Sequence, residues 1–187
     1  MPQSKILLDS NSYFRLAKSI HPLLDVEFGE QNYCLYVLKE LDGEYDINTF
    51  LRKKFSWVNE DEYFYNRQKR ISISRAEKRQ IELTIEYLVN YKITNNLGIS
   101  KIDIRCLAQG YVQNIPVVTD DTDMLEVAKV FGIRTIKTLE LMALMLDCGH
   151  IKMKKIREIV TYWEYIGDKP ANFRKDYKRL FRENPPI

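Results

Sequence analysis

Ile115-Pro116-Val117-Val118-Thr119-Asp120-Asp121-Thr122-Asp123 sets a short apolar run directly before an acidic turn. A run of this length bounded by turn formers reads as a buried strand, and the aspartates mark where it stops. Downstream, residues 124–131 put Met124, Val127, Ala128 and Phe131 on one helical face, and Gly132 closes that helix. Residues 133–137 give a second strand, with Ile133 and Ile136 apolar, and residues 139–147 a helix closed by Gly149. Upstream, Gly98-Ile99-Ser100 leads into a helix over residues 101–112 that Asn114 ends. Strands and helices alternating through such short connections imply right-handed βαβ units and a parallel sheet.

Working back to the N-terminus, Lys5-Ile6-Leu7-Leu8-Asp9 is another buried strand stopping at an acid. Residues 12–20 predict a helix that His21-Pro22 breaks, since the residue before proline avoids helical backbone angles. Residues 32–41 carry Cys34, Leu35, Val37, Leu38 and Leu41 at spacings close to those of an amphipathic helix, which Asp42-Gly43 would end. Residues 44–73 are aromatic and charged with no single period, and read as short helices and loop. Residues 74–91 read as a longer helix opened by Ser74 and Glu77 in a capping box.

A chain of 187 residues suits one domain and buries roughly 70% of its unfolded surface without staples. Its three cysteines, Cys34, Cys106 and Cys148, are far apart and form no C-x-x-C pair, so neither a zinc site nor a redox motif is expected. They read as reduced thiols of a reducing compartment. No apolar run reaches signal-peptide or membrane-span length. A cytoplasmic protein with no membrane partner is the expectation. Net charge is only +3, but residues 151–187 hold ten Lys or Arg against five Asp or Glu. Lys152, Lys154, Lys155, Arg157, Arg174, Lys175, Lys178 and Arg179 form a candidate RNA-binding surface. A solvated face carrying its own ion pairs is the alternative.

The acids carry the chemistry. Ligands of an open parallel sheet bind beyond the carboxyl ends of its strands. Asp9 lies just past one predicted strand, and Asp120, Asp121 and Asp123 just past another. Carboxylates without His or Cys suit a hard cation, Mg²⁺ or Mn²⁺. Such an ion activates water and neutralises a phosphodiester.

Lys5-Ile6-Leu7-Leu8-Asp9-Ser10-Asn11, Ser100-Lys101-Ile102-Asp103 and the Thr119–Asp123 turn together resemble PIN-domain nucleases. The likeness is strong over residues 4–12 and 98–151, and short where Val37-Leu38-Lys39-Glu40-Leu41 matches the family's helical glutamate. It implies a three-layer α/β/α fold around a central parallel sheet, with extra helical and basic segments. One PIN-like domain would span residues 1–151, with a longer helical insertion around 44–97. A basic helical extension, 152–187, would pack on the same domain. The resemblance makes Asp9, Glu40, Asp103 and Asp121 the catalytic acids, and Asp9, Asp103, Asp121 and Asp123 the metal ligands. Asn11, Thr119 and Ser100 would orient them. The implied activity is metal-dependent endoribonuclease cleavage of single-stranded or structured RNA. The implied partners are an antitoxin protein and a second copy of the chain. The alternative is a catalytically silent RNA- or protein-binding module of this fold.

Each acid also has a plainer explanation. Asp9 suits a turn and Glu40 a solvated helix. Asp103 is the capping-box partner of Ser100, and Asp120 and Asp123 suit the start of the next helix. A haloacid-dehalogenase-like phosphatase would need a second Asp at position 11, which is Asn, and a receiver domain would need an acidic pair at Asp9. The insertion and the tail depart from a compact PIN toxin.

Overall fold

The computed structural model describes residues 2–186. At its centre is β1 (Ser4–Leu8), whose side chains alternate between two cores: Ile6 and Leu8 in one, Leu7 in the other. Asp9 caps α1 (Ser10–Leu16), and the chain returns through β2 (Glu27–Phe28) to β3 (Tyr33–Val37). β3 runs parallel to β1, Ser4 opposite Tyr33 and Leu8 opposite Val37, while β2 lies antiparallel on its outer edge.

This corrects the expected helix over residues 32–41. Cys34, Leu35, Tyr36 and Val37 are all buried, because layers cover both faces of the strand. A strand buried on both sides shows a continuous apolar run instead of alternation, and such a run also satisfies helical spacing. The helix starts only at Glu40. α2 (Glu40–Ile47) runs straight through Asp42-Gly43, where an end was expected.

The aromatic stretch folds into α3 (Thr49–Lys54), a 3₁₀ turn (Ser56–Asn59) and α4 (Asp61–Asn66). It joins the first core through Tyr45, Trp57, Val58 and Tyr63. Arg67 is buried there with its charge answered: it donates to Asp42 at 2.9 Å, the Tyr13 hydroxyl at 3.1 Å and the Val58 carbonyl at 2.7 Å. α5 (Arg75–Thr94) opens on the Ser74–Glu77 capping box. α6 (Lys101–Gln113) opens on a second box, Ser100–Asp103, and ends at left-handed Asn114.

Then follow β4 (Val117–Val118), α7 (Thr122–Phe131), β5 (Thr135–Ile136) and α8 (Thr138–Asp147). Gly132 closes α7 at φ +66°, a backbone state that favours glycine. The sheet order is β2-β3-β1-β4-β5, parallel except for β2. Helices α1 and α8 cover the face of Ile6, Leu8, Leu35, Val37 and Val118. Helices α5, α6 and α7 cover the face of Leu7, Cys34, Tyr36 and Val117. The result is a three-layer α/β/α fold.

The tail forms α9 (Met153–Ile166) and α10 (Phe173–Phe181). Ile156, Ile159, Val160, Trp163, Phe173 and Tyr177 are buried in the first core, so these helices help to build it. Of the eight cations expected to face RNA, four are paired on the surface. Arg157 meets Glu183 at 2.7 Å, Arg174 meets Glu164 at 3.2 Å, Arg179 meets Asp176 and Glu140 at 3.1 Å, and Lys155 meets Glu158 at 3.3 Å. For these four, the alternative of a solvated, ion-paired face describes the structure. Lys152, Lys154, Lys175 and Lys178 have no ion pair among the described residues. No helix of the described residues is long and apolar enough to cross a membrane.

Candidate active site

Strand order locates the crevice. From β1 the chain crosses through α1, on one face, to β3; from β4 it crosses through α7, on the other face, to β5. The gap between β1 and β4 is therefore where the winding reverses, the place at which open α/β sheets bind ligands. Asp9 follows β1 and Asp121 follows β4, so the two acids flank that gap.

Asp9 is only 2% exposed. Its amide donates to the Val118 carbonyl at 3.0 Å, which ties the ends of the two strands together. Its Oδ1 accepts from the Ser12 amide at 2.6 Å, capping α1. Its Oδ2 is buried and has no hydrogen-bond partner. Burial pushes the carboxyl up to about 6, against the lowering influence of the Thr119 and Ser12 side chains and the Ser12 amide; nearby Asp103 adds a smaller upward push.

Thr119 is fully buried beside it. The Thr119 hydroxyl accepts from the Asp121 amide at 3.1 Å, and Asp121 Oδ1 in turn accepts from the Met124 amide at 2.8 Å, capping α7. Asp121 itself is exposed. Asp103 is half-buried in the first turn of α6, its Oδ2 accepting from the Ser100 amide at 3.2 Å while Ser100 Oγ accepts from the Asp103 amide at 3.1 Å. Asp123 Oδ2 accepts from the Gly98 amide at 2.6 Å, clamping the loop before α6 onto the acidic turn. Cys106 sits beneath, fully buried, its thiol 3.9 Å from the Leu8 carbonyl; burial, then Asp9 and Asp103, hold that thiol well above its usual range. It is therefore no nucleophile.

Glu40 reaches the same edge by a different route from the one expected. It begins α2, three residues beyond β3, so it too lies past the carboxyl end of a central parallel strand. Arg105 of α6 stands 3.5 Å from it. Sequence reasoning missed Arg105, and its spacing gave no signal: residues two apart on a helix, as Asp103 and Arg105 are, do not share a face. Asn11, expected to orient Asp9, is exposed and its side chain makes no hydrogen bond among the described residues; Ser12 orients that carboxylate.

Asp120 points into structure. It pairs with Arg15 at 2.7 Å, accepts from the Thr138 amide at 3.2 Å, and bonds the Thr138 hydroxyl. Arg15 continues to Asp168 at 3.0 Å, joining the turn to the segment after α9. These contacts explain Asp120 without catalysis.

Among the described residues no three His, Cys, Asp or Glu side chains already stand as a group able to hold a metal ion. The donor chemistry nonetheless fits a hard cation. The site offers carboxylate oxygens, and one of them, Asp9 Oδ2, is buried without a hydrogen-bond partner. The bonds of Asp103 and Asp121 each use a single carboxylate oxygen.

No family model matches the chain, and no curated protein matches it. Among solved structures, a chain in the crystal structure of FitAcB from Neisseria gonorrhoeae is similar to it, at 15% identity and a TM-score of 0.45, over 72% of this chain and 98% of that one. The fold described above stands on the strand order and registers alone.

Proposed function

We propose that the chain is a metal-dependent endoribonuclease of the PIN kind. The observation that carries this reading is Asp9: a buried carboxylate with a free oxygen, at the winding reversal of a parallel sheet, with its pKa raised to about 6. Capping α1 accounts for Oδ1 but not for an Oδ2 buried without a donor, and carboxylates with such raised pKa values concentrate where chemistry is done. Asp9, Asp103, Asp121 and Asp123 are the residues that would hold Mg²⁺ or Mn²⁺. Repulsion among carboxylates keeps such acids apart when no cation neutralises them. When bound, the ion supplies charge neutralisation at the phosphate and a more acidic water.

The chain's own residues do the rest. Ser12 fixes Asp9 Oδ1 and leaves Oδ2 without a competing donor. Thr119 holds the backbone of Asp121. Asp123 fixes Gly98 and with it the entry of α6, which sets Asp103. Glu40, steadied by Arg105, lies farther out and would orient the attacking water. A protein partner, the expected antitoxin or a second copy, would find apolar surface on α5, α6 and α7, where Leu83, Tyr87, Tyr111 and Val130 are exposed.

The test is cleavage of single-stranded RNA in Mn²⁺ or Mg²⁺ with end-group analysis. Water attack leaves a 5′ phosphate and a 3′ hydroxyl. Asp9→Ala, Asp103→Ala and Asp121→Ala should each abolish it, and Glu40→Ala should cost less. Full activity in EDTA, or cyclic phosphate products, would overturn the mechanism.

A further inference from the structure

A cleft of about 240 Å³ opens between the end of β3, the start of α5 and the outer side of α6. Its floor is apolar, with Ile71 and Ile81 buried in the second core. Its walls carry Lys39, Arg70, Lys78 and Arg105, against a single lining acid, Glu40. Acids at the rim answer Arg70 and Arg105, which leaves Lys39 and Lys78 as the uncancelled charge of the cleft.

The cations are of two kinds. Arg70 and Arg105 are anchored: Arg70 Nη2 donates to Asp42 at 2.9 Å, and Arg105 bonds Glu82 at 3.0 Å and faces Glu40 at 3.5 Å. Yet Arg70 Nη1 is buried without any hydrogen-bond partner, an unused donor on a fixed guanidinium. Lys39 and Lys78 are exposed and have no ion pair among the described residues. A fixed guanidinium with a spare donor, two free ammonium groups and a hydrophobic floor together suit a phosphate flanked by a flat apolar ring.

Position gives the cleft its meaning. Glu40 belongs both to this wall and to the acidic edge, and Arg105 faces it across the cleft at 3.5 Å. Arg70 and Lys78 come from the insertion and from α5. We propose that this cleft is a phosphodiester-binding groove for single-stranded nucleic acid, holding a nucleotide of the strand that passes the Asp9 site. Phosphate lies against Lys39, Arg70, Lys78 and Arg105, and a base lies over Ile71 and Ile81. The inference rests on the nuclease reading for its direction, but its test does not depend on cleavage.

The test is fluorescence anisotropy of the full chain in EDTA with a labelled single-stranded RNA and a DNA of the same sequence, over a range of salt. Each lysine–phosphate contact adds about 0.7 to the slope of log affinity against log salt. Lys39→Ala/Lys78→Ala should therefore flatten the slope by about 1.4 and weaken binding on the order of 25-fold near 0.1 M salt. The control pair Lys92→Ala/Lys129→Ala removes the same charge outside the cleft and should leave the slope unchanged. The two strands tell whether RNA or DNA is held. Both lysines of the cleft pair are exposed, so folding should survive, and a thermal melt checks it. An unchanged slope in the cleft pair, an equal loss in the control pair, or no binding by the wild type at low salt overturns the proposal. A protein that binds with the expected slope yet cuts nothing in Mn²⁺ keeps the groove and loses the nuclease.

Discussion

Replacing Asp9 with asparagine should stabilise the metal-free protein above neutral pH. In the fold the carboxyl is raised from its ordinary 3.8 to about 6, first by burial. Between those two values the folded chain holds a proton that the unfolded chain has released. Stability from this group is therefore complete below pH 3.8, falls as pH rises, and is gone above about 6. The gap corresponds to about 3 kcal/mol. The asparagine side chain would keep the Oδ1 acceptor for the Ser12 amide and put a neutral amide where Oδ2 is now buried, which costs less than burying charge. The assay is thermal and urea unfolding of both proteins in EDTA from pH 4 to 8, read as the difference between them so that other titrations cancel. Near pH 4 the two should match. At pH 7.5 Asp9→Asn should melt roughly 6–12 °C higher, at the 2–4 °C per kcal/mol of a chain this size. Added Mn²⁺ should then raise the wild type and leave the variant nearly unmoved. A difference that stays flat from pH 4 to 7.5, or a variant that is weaker at pH 7.5, would refute the reasoning and make Asp9 a structural cap alone.

Titration calorimetry with Mn²⁺ should show weaker binding for Asp121→Asn than for the wild type, and identical isotherms would move the ion elsewhere. On the tail, Lys152→Ala, Lys154→Ala, Lys175→Ala and Lys178→Ala together should lower the salt slope of RNA binding by up to about 2.8, whereas neutralising Arg157, Arg174 and Arg179 should change it little, because their charges are already answered; equal effects from the two sets would contradict the distinction. Gly110→Ala should destabilise the fold by about 1–3 kcal/mol, since the new methyl meets the Val117 side chain and the Ile115 carbonyl where α6 packs on β4. A urea midpoint equal to wild type would show that α6 can shift freely.

The second half of the fold was legible from residue 98 onward because its signals agree at every level. Ser100 and Asp103 cap α6, Asn114 ends it, and Gly132 ends α7, each where the local chemistry demanded. Strands β4 and β5 are short, but their flanking turns fixed them. The first half was less legible for the opposite reason. Cys34, Leu35, Tyr36 and Val37 are buried on both faces, so the alternation that marks a half-buried strand is missing. Nothing local distinguishes that run from one turn of a buried helix. Only the pairing with β1, a distant segment of the chain, decides it, and that pairing is a tertiary fact. Of the surface ion pairs on α9 and α10, Lys155–Glu158 and Asp176–Arg179 follow helical i,i+3 spacing, whereas Arg157–Glu183, Arg174–Glu164 and Arg179–Glu140 join separate segments and have no local signal.

The misread strand changes what Glu40 is. As a residue within a helix it would be placed by helical spacing alone. As the first residue of α2, past the end of β3, it is placed by the same rule that places Asp9 and Asp121: three parallel strands, β3, β1 and β4, deliver their following residues to one edge of the sheet. That edge brings an acid from each strand and a fourth, Asp103, from the helix that packs across them. The separation still differs by strand. Asp9 and Asp121 flank the winding reversal between β1 and β4, whereas Glu40 follows β3 on the far side of β1 and is held by Arg105 instead of by Thr119 or Ser12. Glu40 has a guanidinium beside it, whereas Asp9 is buried with neutral donors only and one oxygen unpartnered. On the proposed reading, Asp9 is therefore the acid that most needs a cation, and Glu40 stands between the acids and the cleft lined by Lys39 and Lys78.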